Sequence, residues 1–122
     1  MEILLDSVIL IDHFNQAHQA TAYLKQVRDI AAISVITRAE VLTGFEPCSR
    51  IIAAKFLDYF LTFEIDKNIA DLAAQLRYDY KWKLPDALQA AIAKYCNLKL
   101  ATRNTKDFPP EKYAFVSVPY TL

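Results

Sequence analysis

The sequence contains one glycine, Gly44, and no segment rich in proline or serine. Flexible connectors are built from such residues, so their scarcity predicts that structural elements follow one another closely. The two cysteines, Cys48 and Cys96, stand far apart, without a CxxC pair or a histidine at metal-ligand spacing. Neither a zinc site nor a disulfide framework is indicated, and both thiols are expected to be reduced, structural residues.

The chain also lacks an excess of charge and a long apolar run. It has 14 Lys and Arg against 14 Asp and Glu, so no overall field attracts nucleic acid or a membrane, and such partners must be bound locally. Its apolar runs are shorter than the roughly 20 residues of a membrane span. The N-terminal "MEILLDSVILID" lacks the features of a signal peptide. We therefore expect no membrane association and a cytoplasmic location.

Apolar material is abundant, since 54% of the 122 residues are hydrophobic and 23% are charged. This composition predicts one compact domain over residues 1–122. Five short apolar segments are predicted to be strands: "EILL" at 2–5, "AAIS" at 31–34, "LTFEID" at 61–66, "LKLAT" at 98–102 and "YAFVSV" at 113–118. Segments with helical periodicity lie between most of them. The alternation predicts an α/β domain with a mostly parallel sheet covered on both faces.

Capping residues indicate where several helices begin and end. Ser34 suits the N-cap of a helix that Gly44 would end, and Pro85 suits the first turn of a later helix. Ser49 is expected to cap a further helix. Its predicted apolar stripe is Ile52, Phe56, Tyr59 and Phe60.

Four acids fall at comparable places in this order of elements. Asp6 follows the first strand, and Glu40 lies on the second turn of the helix after the second strand. Asp86 lies in the first turn of its helix, and Asp107 follows the fourth strand. Because the carboxyl ends of parallel strands share one rim, all four are expected near it. Carboxylates that converge repel one another unless a cation neutralises them, and oxygen ligands suit Mg²⁺ or Mn²⁺.

Each acid taken singly also has a structural explanation. Asp6 could be the N-cap of the helix formed by "SVILIDHF", and Asp107 could cap a loop. The helix dipole favours an acid at Asp86 in any protein, and Glu40 could be an exposed helix residue. The joint placement of the four acids at one predicted rim is what favours a metal site.

Other polar residues near these elements are weaker candidates. Ser7 and Thr102 carry hydroxyls beside the predicted rim and could hold a metal-bound water, although no base stands at a spacing that would make either a nucleophile. Asp12 is expected to point elsewhere, as a surface charge or a partner contact. His13 and His18 are expected to face solvent.

Four segments in this order resemble a known family. "ILLDS", "SVITRAEVLTG", "LPDALQAAIA" and "LATRNTKDF" are similar to the motifs of PIN-domain ribonucleases, specifically the VapC-type toxins of bacterial toxin–antitoxin pairs. Each motif is short, but together they extend over essentially the whole chain. The resemblance implies a three-layer domain with a five-stranded parallel sheet flanked by helices.

The resemblance also implies an endoribonuclease that depends on Mg²⁺ or Mn²⁺. A homodimer is implied as well, together with a small cognate antitoxin whose C-terminal segment occupies the active-site groove. By position, the family's site residues correspond to the core acids Asp6, Glu40 and Asp86, the more variable acid Asp107, and the supporting polar residues Thr102 and Asn104. Val8 stands where the family usually has Asn, so one outer hydrogen bond is expected to be lost.

Contacts with RNA are expected from cations close to these motifs. Arg38, Arg103 and Lys106 are the nearest in sequence and could hold flanking phosphates, although surface ion pairs are an equally simple explanation. The segment "YDYKWK" could stack on unpaired bases. Burial of Tyr80 and Trp82 in the core is the favoured interpretation.

Two other classes of function have a similar length and fold pattern. A phosphoacceptor signalling domain would need paired acids after the first strand and a lysine near the last one. "ILLDSV" has one Asp and "FVSVPYTL" has no Lys, so this class is disfavoured. A non-catalytic PIN-like interaction module, in which partner binding is the whole function, remains the alternative.

Overall fold

The computed structural model describes all 122 residues as alternating strands and helices. The strands are β1 (Ile3–Leu5), β2 (Ala31–Ser34), β3 (Leu61–Phe63), β4 (Lys99–Ala101) and β5 (Val116–Ser117). The helices are α1 (Ser7–Phe14), α2 (His18–Val27), α3 (Val35–Thr43), α4 (Pro47–Leu57), α5 (Lys67–Tyr80) and α6 (Leu84–Tyr95). None of these helices is long and apolar enough to cross a membrane.

The five strands form one parallel sheet in the order β3-β2-β1-β4-β5. The central strand β1 has Leu4 opposite Ala32 of β2 on one side and Leu100 of β4 on the other. The predicted α/β fold with a five-stranded parallel sheet is therefore confirmed.

Successive residues of β1 point to opposite faces of the sheet and join different cores. Leu4 belongs to a core that includes Ile92 of α6 and Leu76 of α5. Leu5 belongs to the other core, with Ile9 of α1 and residues of α2, α3 and α4. Helices α5 and α6 thus cover one face and α1 to α4 cover the other, which gives the predicted three layers.

The strand order reverses beside β1, because the chain builds β2 and β3 on one side of it and β4 and β5 on the other. In open parallel sheets the crevice for a ligand lies outside the carboxyl ends of the strands at such a reversal. Asp6 follows β1 and Thr102 follows β4, so these two residues flank the crevice.

Helix boundaries agree with the predicted caps in α3 and differ in α4. Ser34 caps α3 by accepting a hydrogen bond from the Thr37 amide, and Gly44 is the C-cap residue, as predicted. Helix α4 begins at Pro47 and not after Ser49, because proline suits the first turn, where its missing N–H needs no partner.

The apolar stripe predicted for α4 is confirmed only in part. Phe60 is buried and Phe56 packs against the core on this face of the sheet, whereas Ile52 is 73% exposed and Tyr59 is 86% exposed. The helix instead buries Ala53, the neighbour of the exposed Ile52.

The predicted fifth strand is shorter than "YAFVSV", since only Val116 and Ser117 pair with β4. The preceding residues form turns, in which the amides of Lys112 and Tyr113 both donate to the carbonyl of Pro109. A backbone occupied in turns cannot also extend along the edge of the sheet.

The phase of α4 can be tested with two matched truncations. Leu57→Ala should lower the free energy of unfolding by about 2–5 kcal/mol, because Leu57 is fully buried and its loss leaves a cavity. Ile52→Ala should change it by less than about 0.5 kcal/mol. Urea unfolding followed by circular dichroism measures both, and equal losses would contradict the observed helix orientation.

Candidate active site

Asp6, at the carboxyl end of β1, is the centre of the site. Asp6 is only 7% exposed. One carboxylate oxygen, Oδ2, accepts a hydrogen bond from the Thr102 hydroxyl at 2.6 Å. The other, Oδ1, accepts from the Ser7 amide at 2.9 Å and lies 3.5 Å from Nε2 of Gln89. All three donors are neutral, so no cationic side chain of the protein contacts this buried carboxylate.

The capping explanation for Asp6 is correct but incomplete. Asp6 is the N-cap residue of α1, and its side chain accepts from the Ser7 amide. The other carboxylate oxygen takes no part in the cap and faces the residue that follows β4. The Asp6 amide also donates to the Ala101 carbonyl at 2.9 Å, which fixes the backbone across the reversal of strand order.

Asp86 lies in the first turn of α6 and is partly buried. Burial, together with the nearby charges of Asp6, Asp107 and Glu40, raises the pKa of its carboxyl group to about 6. Lys83 opposes the shift but does not cancel it. Asp86 therefore lies close enough to the other three predicted acids for their charges to act on its carboxyl group.

Glu40 approaches this group from α3. The residue is exposed, yet desolvation of its carboxyl group raises the pKa. The Ser7 side chain, a hydrogen-bond partner, lowers that pKa, while the charge of Asp6 raises it. The Ser7 hydroxyl is therefore within hydrogen-bonding reach of Glu40.

Asp107 belongs to a short loop after β4 that is organised by its own side chains. Asn104 Nδ2 donates to Asp107 Oδ2 at 3.0 Å, and the Asn104 amide donates to the Thr102 hydroxyl at 2.9 Å. The Trp82 indole N–H donates to the Asp107 carbonyl at 3.0 Å. Thr102 and Asn104 therefore connect Asp6 to Asp107 through three consecutive contacts.

The "YDYKWK" segment packs mainly against the protein itself. Trp82 is 5% exposed, which confirms its predicted burial, and its ring lies 5.0 Å from that of Phe108. Tyr80 stacks on Trp82 with ring centroids 4.7 Å apart but is 43% exposed, so it covers the core from outside.

A buried glutamine that the sequence analysis missed joins three elements of the site. Gln89 of α6 accepts a hydrogen bond from the Ser34 hydroxyl at 2.6 Å and donates to the Thr37 hydroxyl at 2.6 Å. The same amide nitrogen lies 3.5 Å from Asp6. Gln89 stands three residues after Asp86, on the same side of the helix and among alanines. A single amide in such an apolar segment is the signal that could have predicted a buried polar role.

The three predicted RNA-binding cations differ in their surroundings. Arg38 pairs with Asp58 at 2.8 Å on the surface, as the ion-pair alternative expected. Lys106 is exposed and contributes no ion pair. Arg103 donates two hydrogen bonds to Asp12, which is 7% exposed. The prediction that Asp12 is a surface charge is therefore wrong, because its carboxylate is buried and paired with the partly exposed guanidinium of Arg103.

The two histidines lie away from the four acids. His18 is exposed, as expected. His13 is only partly exposed, since its ring stacks on Phe56 with centroids 4.8 Å apart and its Nδ1 lies 2.8 Å from the Thr21 hydroxyl. It lines a cavity of about 480 Å³ that contains none of the four acids.

The donor atoms at the rim fit a divalent cation. They are carboxylate and hydroxyl oxygens, which Mg²⁺ and Mn²⁺ prefer over softer ligands. No three acidic, histidine or cysteine side chains are grouped closely enough to hold an ion in their present positions. Drawing the carboxylates into one coordination shell therefore requires a cation that outweighs their repulsion.

Comparisons with known proteins give consistent results. Residues 3–110 match the model of the family described as PIN domain. A chain of a toxin–antitoxin complex from Klebsiella pneumoniae is 37% identical, covers 99% of this chain and 100% of its own, and superimposes with a TM-score of 0.89.

Two further structures share the architecture at lower identity. A chain of FitAcB from Neisseria gonorrhoeae is 25% identical over 98% of this chain and 99% of its own, with a TM-score of 0.79. A chain of VapBC2 from Rickettsia felis, bound to a DNA fragment from its promoter, is 20% identical over 95% of this chain and 96% of its own, with a TM-score of 0.78. No curated protein sequence matches significantly.

Burial of Asp86 and repulsion by the other acids predict an unusual pH dependence for Asp86→Asn in metal-free protein. The folded-state pKa of Asp86 is about 6 against an ordinary 3.8, so the wild-type protein loses stability through this group as pH rises across that interval. At pH 7 the Asn variant should be more stable by about 1–2 kcal/mol. This figure is the free energy that corresponds to the pKa shift, reduced because solvent screens a partly exposed group. Below pH 4 the difference should vanish.

Chemical denaturation in EDTA at several pH values measures this difference. Asp71→Asn, an exposed change on α5, is the matched control and should leave the pH dependence unchanged. A less stable Asp86→Asn variant at pH 7 would show that favourable interaction with the helix N-terminus outweighs repulsion by the other acids.

Proposed function

The chain belongs to the PIN-domain family, and from that membership we propose that it is a VapC-type toxin that cleaves RNA with Mg²⁺ or Mn²⁺. Residues 1–122 would form one domain of this kind. The observation that carries the proposal is the carboxylate of Asp6, which is only 7% exposed and contacts only neutral donors at the carboxyl end of β1. Burial and the charges of the other three acids also raise the pKa of Asp86. A divalent cation bound among these carboxylates would compensate their charges.

The four acids would hold the ion, with different degrees of freedom. Asp6 is fixed by three neutral donors and would be the rigid ligand. Asp86 and Glu40 project from separate helices and would close on the ion as it binds. Asp107, fixed to Asn104, would complete the set from the loop after β4.

Hydrolysis of an RNA phosphodiester needs an activated water and compensation of charge on the leaving oxygen. When bound, Mg²⁺ or Mn²⁺ supplies both by lowering the pKa of water and neutralising developing charge. The chain's own contribution is orientation. The Ser7 hydroxyl is a hydrogen-bond partner of Glu40, and Thr102 donates to Asp6, so these groups would restrain the two carboxylates as the ion binds.

RNA would approach over the exposed rim of the sheet. Lys106 is a free cation in the loop that carries Asp107, and Arg38 can exchange its surface partner Asp58 for a phosphate at little cost. Such contacts position a strand without reading its sequence. Selectivity would come from unpaired bases in a folded RNA, because they present edges that proteins can reach.

The proposal includes partners and location. A chain of the Klebsiella pneumoniae complex, similar over its whole length to this one, occurs in a toxin–antitoxin assembly. We therefore propose a small cognate antitoxin for this chain, a homodimer as its own assembly, and action on RNA in the cytoplasm. A non-catalytic interaction module would share the fold and the antitoxin but would not need the acids.

Asp86→Asn tests the catalytic assignment. The variant should reduce Mn²⁺-dependent RNA cleavage by about a thousandfold, because a ligand worth several kcal/mol of transition-state stabilisation is lost. Folding should be retained, since Asp86 makes no side-chain hydrogen bond that the fold requires. Cleavage of a labelled RNA is measured with Asp71→Asn as the control, and both proteins are purified identically.

Binding of the ion can be measured apart from cleavage. Mn²⁺ at about 100 times its Kd should stabilise the wild-type protein by about 2.7 kcal/mol, because it binds only the folded state. Asp86→Asn should lose most of this gain. Stabilisation by the antitoxin with none by Mn²⁺, and no cleavage, would support the interaction module and refute the nuclease.

A further inference from the structure

Three residues far apart in the sequence form a charged cluster beside the site. Asp12 of α1 accepts hydrogen bonds from Arg103 Nε at 2.6 Å and from Arg103 Nη2 at 2.8 Å. The Tyr120 hydroxyl donates to the same carboxylate at 2.8 Å. We call Asp12, Arg103 and Tyr120 the Asp12 cluster. It joins α1, the loop after β4 and the C-terminal segment.

The cluster is built for geometry. A bidentate contact between guanidinium and carboxylate fixes the plane and direction of both groups, which a single lysine contact cannot do. Arg103 keeps the pKa of Asp12 below its ordinary value, although burial opposes the shift. A largely buried ion pair adds little net stability compared with apolar packing, whereas its two hydrogen bonds restrict where the Arg103 side chain can lie.

The position it fixes is that of the loop bearing half of the site. Arg103 lies between Thr102 and Asn104 in the sequence. The Thr102 hydroxyl donates to Asp6, and the Asn104 side-chain amide donates to Asp107. A shift of the Arg103 backbone would move both neighbours together. The Asp12 cluster therefore anchors this loop to α1, the helix that Asp6 caps.

The same geometry bears on whether Arg103 meets RNA. Its Nε and Nη2 atoms both face Asp12, and its guanidinium lies 6.0 Å from the Tyr120 ring centroid. The positive charge is thus already compensated by Asp12, which weakens its attraction for a phosphate.

We propose that Arg103 is a positioning residue that acts through Thr102 and Asn104, and that Asp12 and Tyr120 act with it by holding its guanidinium. The inference rests on the proposed function, because it concerns the same four acids. It assigns Arg103 to the ordering of the metal site in place of phosphate binding, and it gives Asp12, which contacts none of the acids, an effect on catalysis.

The test compares Arg103→Lys, Asp12→Asn and Tyr120→Phe with the wild-type protein. If the cluster orders the loop, Arg103→Lys and Asp12→Asn should each weaken Mn²⁺ affinity and lower kcat by about 10- to 100-fold, the usual effect of losing an outer partner of a metal site. KM for the RNA should stay unchanged. Tyr120→Phe keeps the ion pair and should show a smaller loss in the same direction.

RNA binding in EDTA separates positioning from phosphate contact. A phosphate-binding residue contributes about 0.7 to the slope of log K against log salt for a single strand. Arg103→Ala should keep the wild-type slope for a labelled single-stranded RNA. A slope lowered by about one contact in Arg103→Ala would overturn the proposal and assign Arg103 to phosphate binding.

Controls make each outcome decisive. Arg28→Lys, at an exposed arginine on the far end of α2, should change neither Mn²⁺ affinity nor kcat. The double variant Asp12→Asn with Arg103→Lys should be no worse than the worse single variant, because both remove one interaction. Additive losses would contradict a shared role, as would wild-type Mn²⁺ affinity in either single variant.

Failure of the proposed function looks different from failure of this inference. If the wild-type protein neither binds Mn²⁺ nor cleaves RNA, the nuclease assignment fails. If the wild-type protein does both and the ion-pair variants match it while folded, only the positioning role fails. Should Arg103→Lys not fold, Tyr120→Phe still decides, because unchanged Mn²⁺ affinity in that variant would refute the role of the cluster.

Discussion

The buried carboxylate of Asp6, held by neutral donors alone, is the constraint on which the rest of the site depends. Its donors come from the first turn of α1, from α6 and from the residue after β4, so three elements must keep their relative positions for the group to be satisfied. The parallel pairing of β1 with β4 supplies that rigidity, since the same two strands also share the backbone contact from Asp6 to Ala101. A charged group placed here is costly unless it is solvated by fixed dipoles or by an ion. The dipoles orient Asp6, and the charge remains available to a ligand.

Asp6 and Asp12, six residues apart, show how the same side chain can be structural or functional. Both residues are 7% exposed. Asp12 has a guanidinium that neutralises it, so its charge is compensated within the protein. Asp6 has only neutral donors and instead raises the pKa of Asp86 and Glu40. Uncompensated repulsion lowers the stability of the folded chain, and proteins commonly accept such a loss where activity requires it. The presence or absence of a cationic partner, more than burial itself, therefore distinguishes a structural acid such as Asp12 from a site acid such as Asp6.

The sequence predicts these features unequally, for physical reasons. Local rules were sufficient where one residue decides its own surroundings, as with the Ser34 cap, the Gly44 stop and Asp6 directly after β1. They succeeded only in part for α4, where packing buries Ala53 and Leu57 and leaves Ile52 of the predicted stripe exposed. They also failed for Asp12, whose partner Arg103 lies 91 residues away and is invisible to any periodicity. Gln89 was missed because a lone amide in a helix has many uses, and its three partners come from elements that only the fold brings together.

Helix α6 contributes to both the hydrophobic core and the candidate site, so the packing of one affects the geometry of the other. Its alanines, buried on almost every side, let the helix approach its neighbours closely enough for Gln89 to reach β2 and α3. The same close approach carries Asp86 toward Asp6 and accounts for the burial that raises its pKa. Larger side chains would push the helix out, relieve the repulsion and separate the ligands. Val8, at the position where the family usually has Asn, packs with the apolar core on the other face. Because Asp6 already has three donors, its orientation does not depend on an amide at that position, and the substitution is compatible with an intact site.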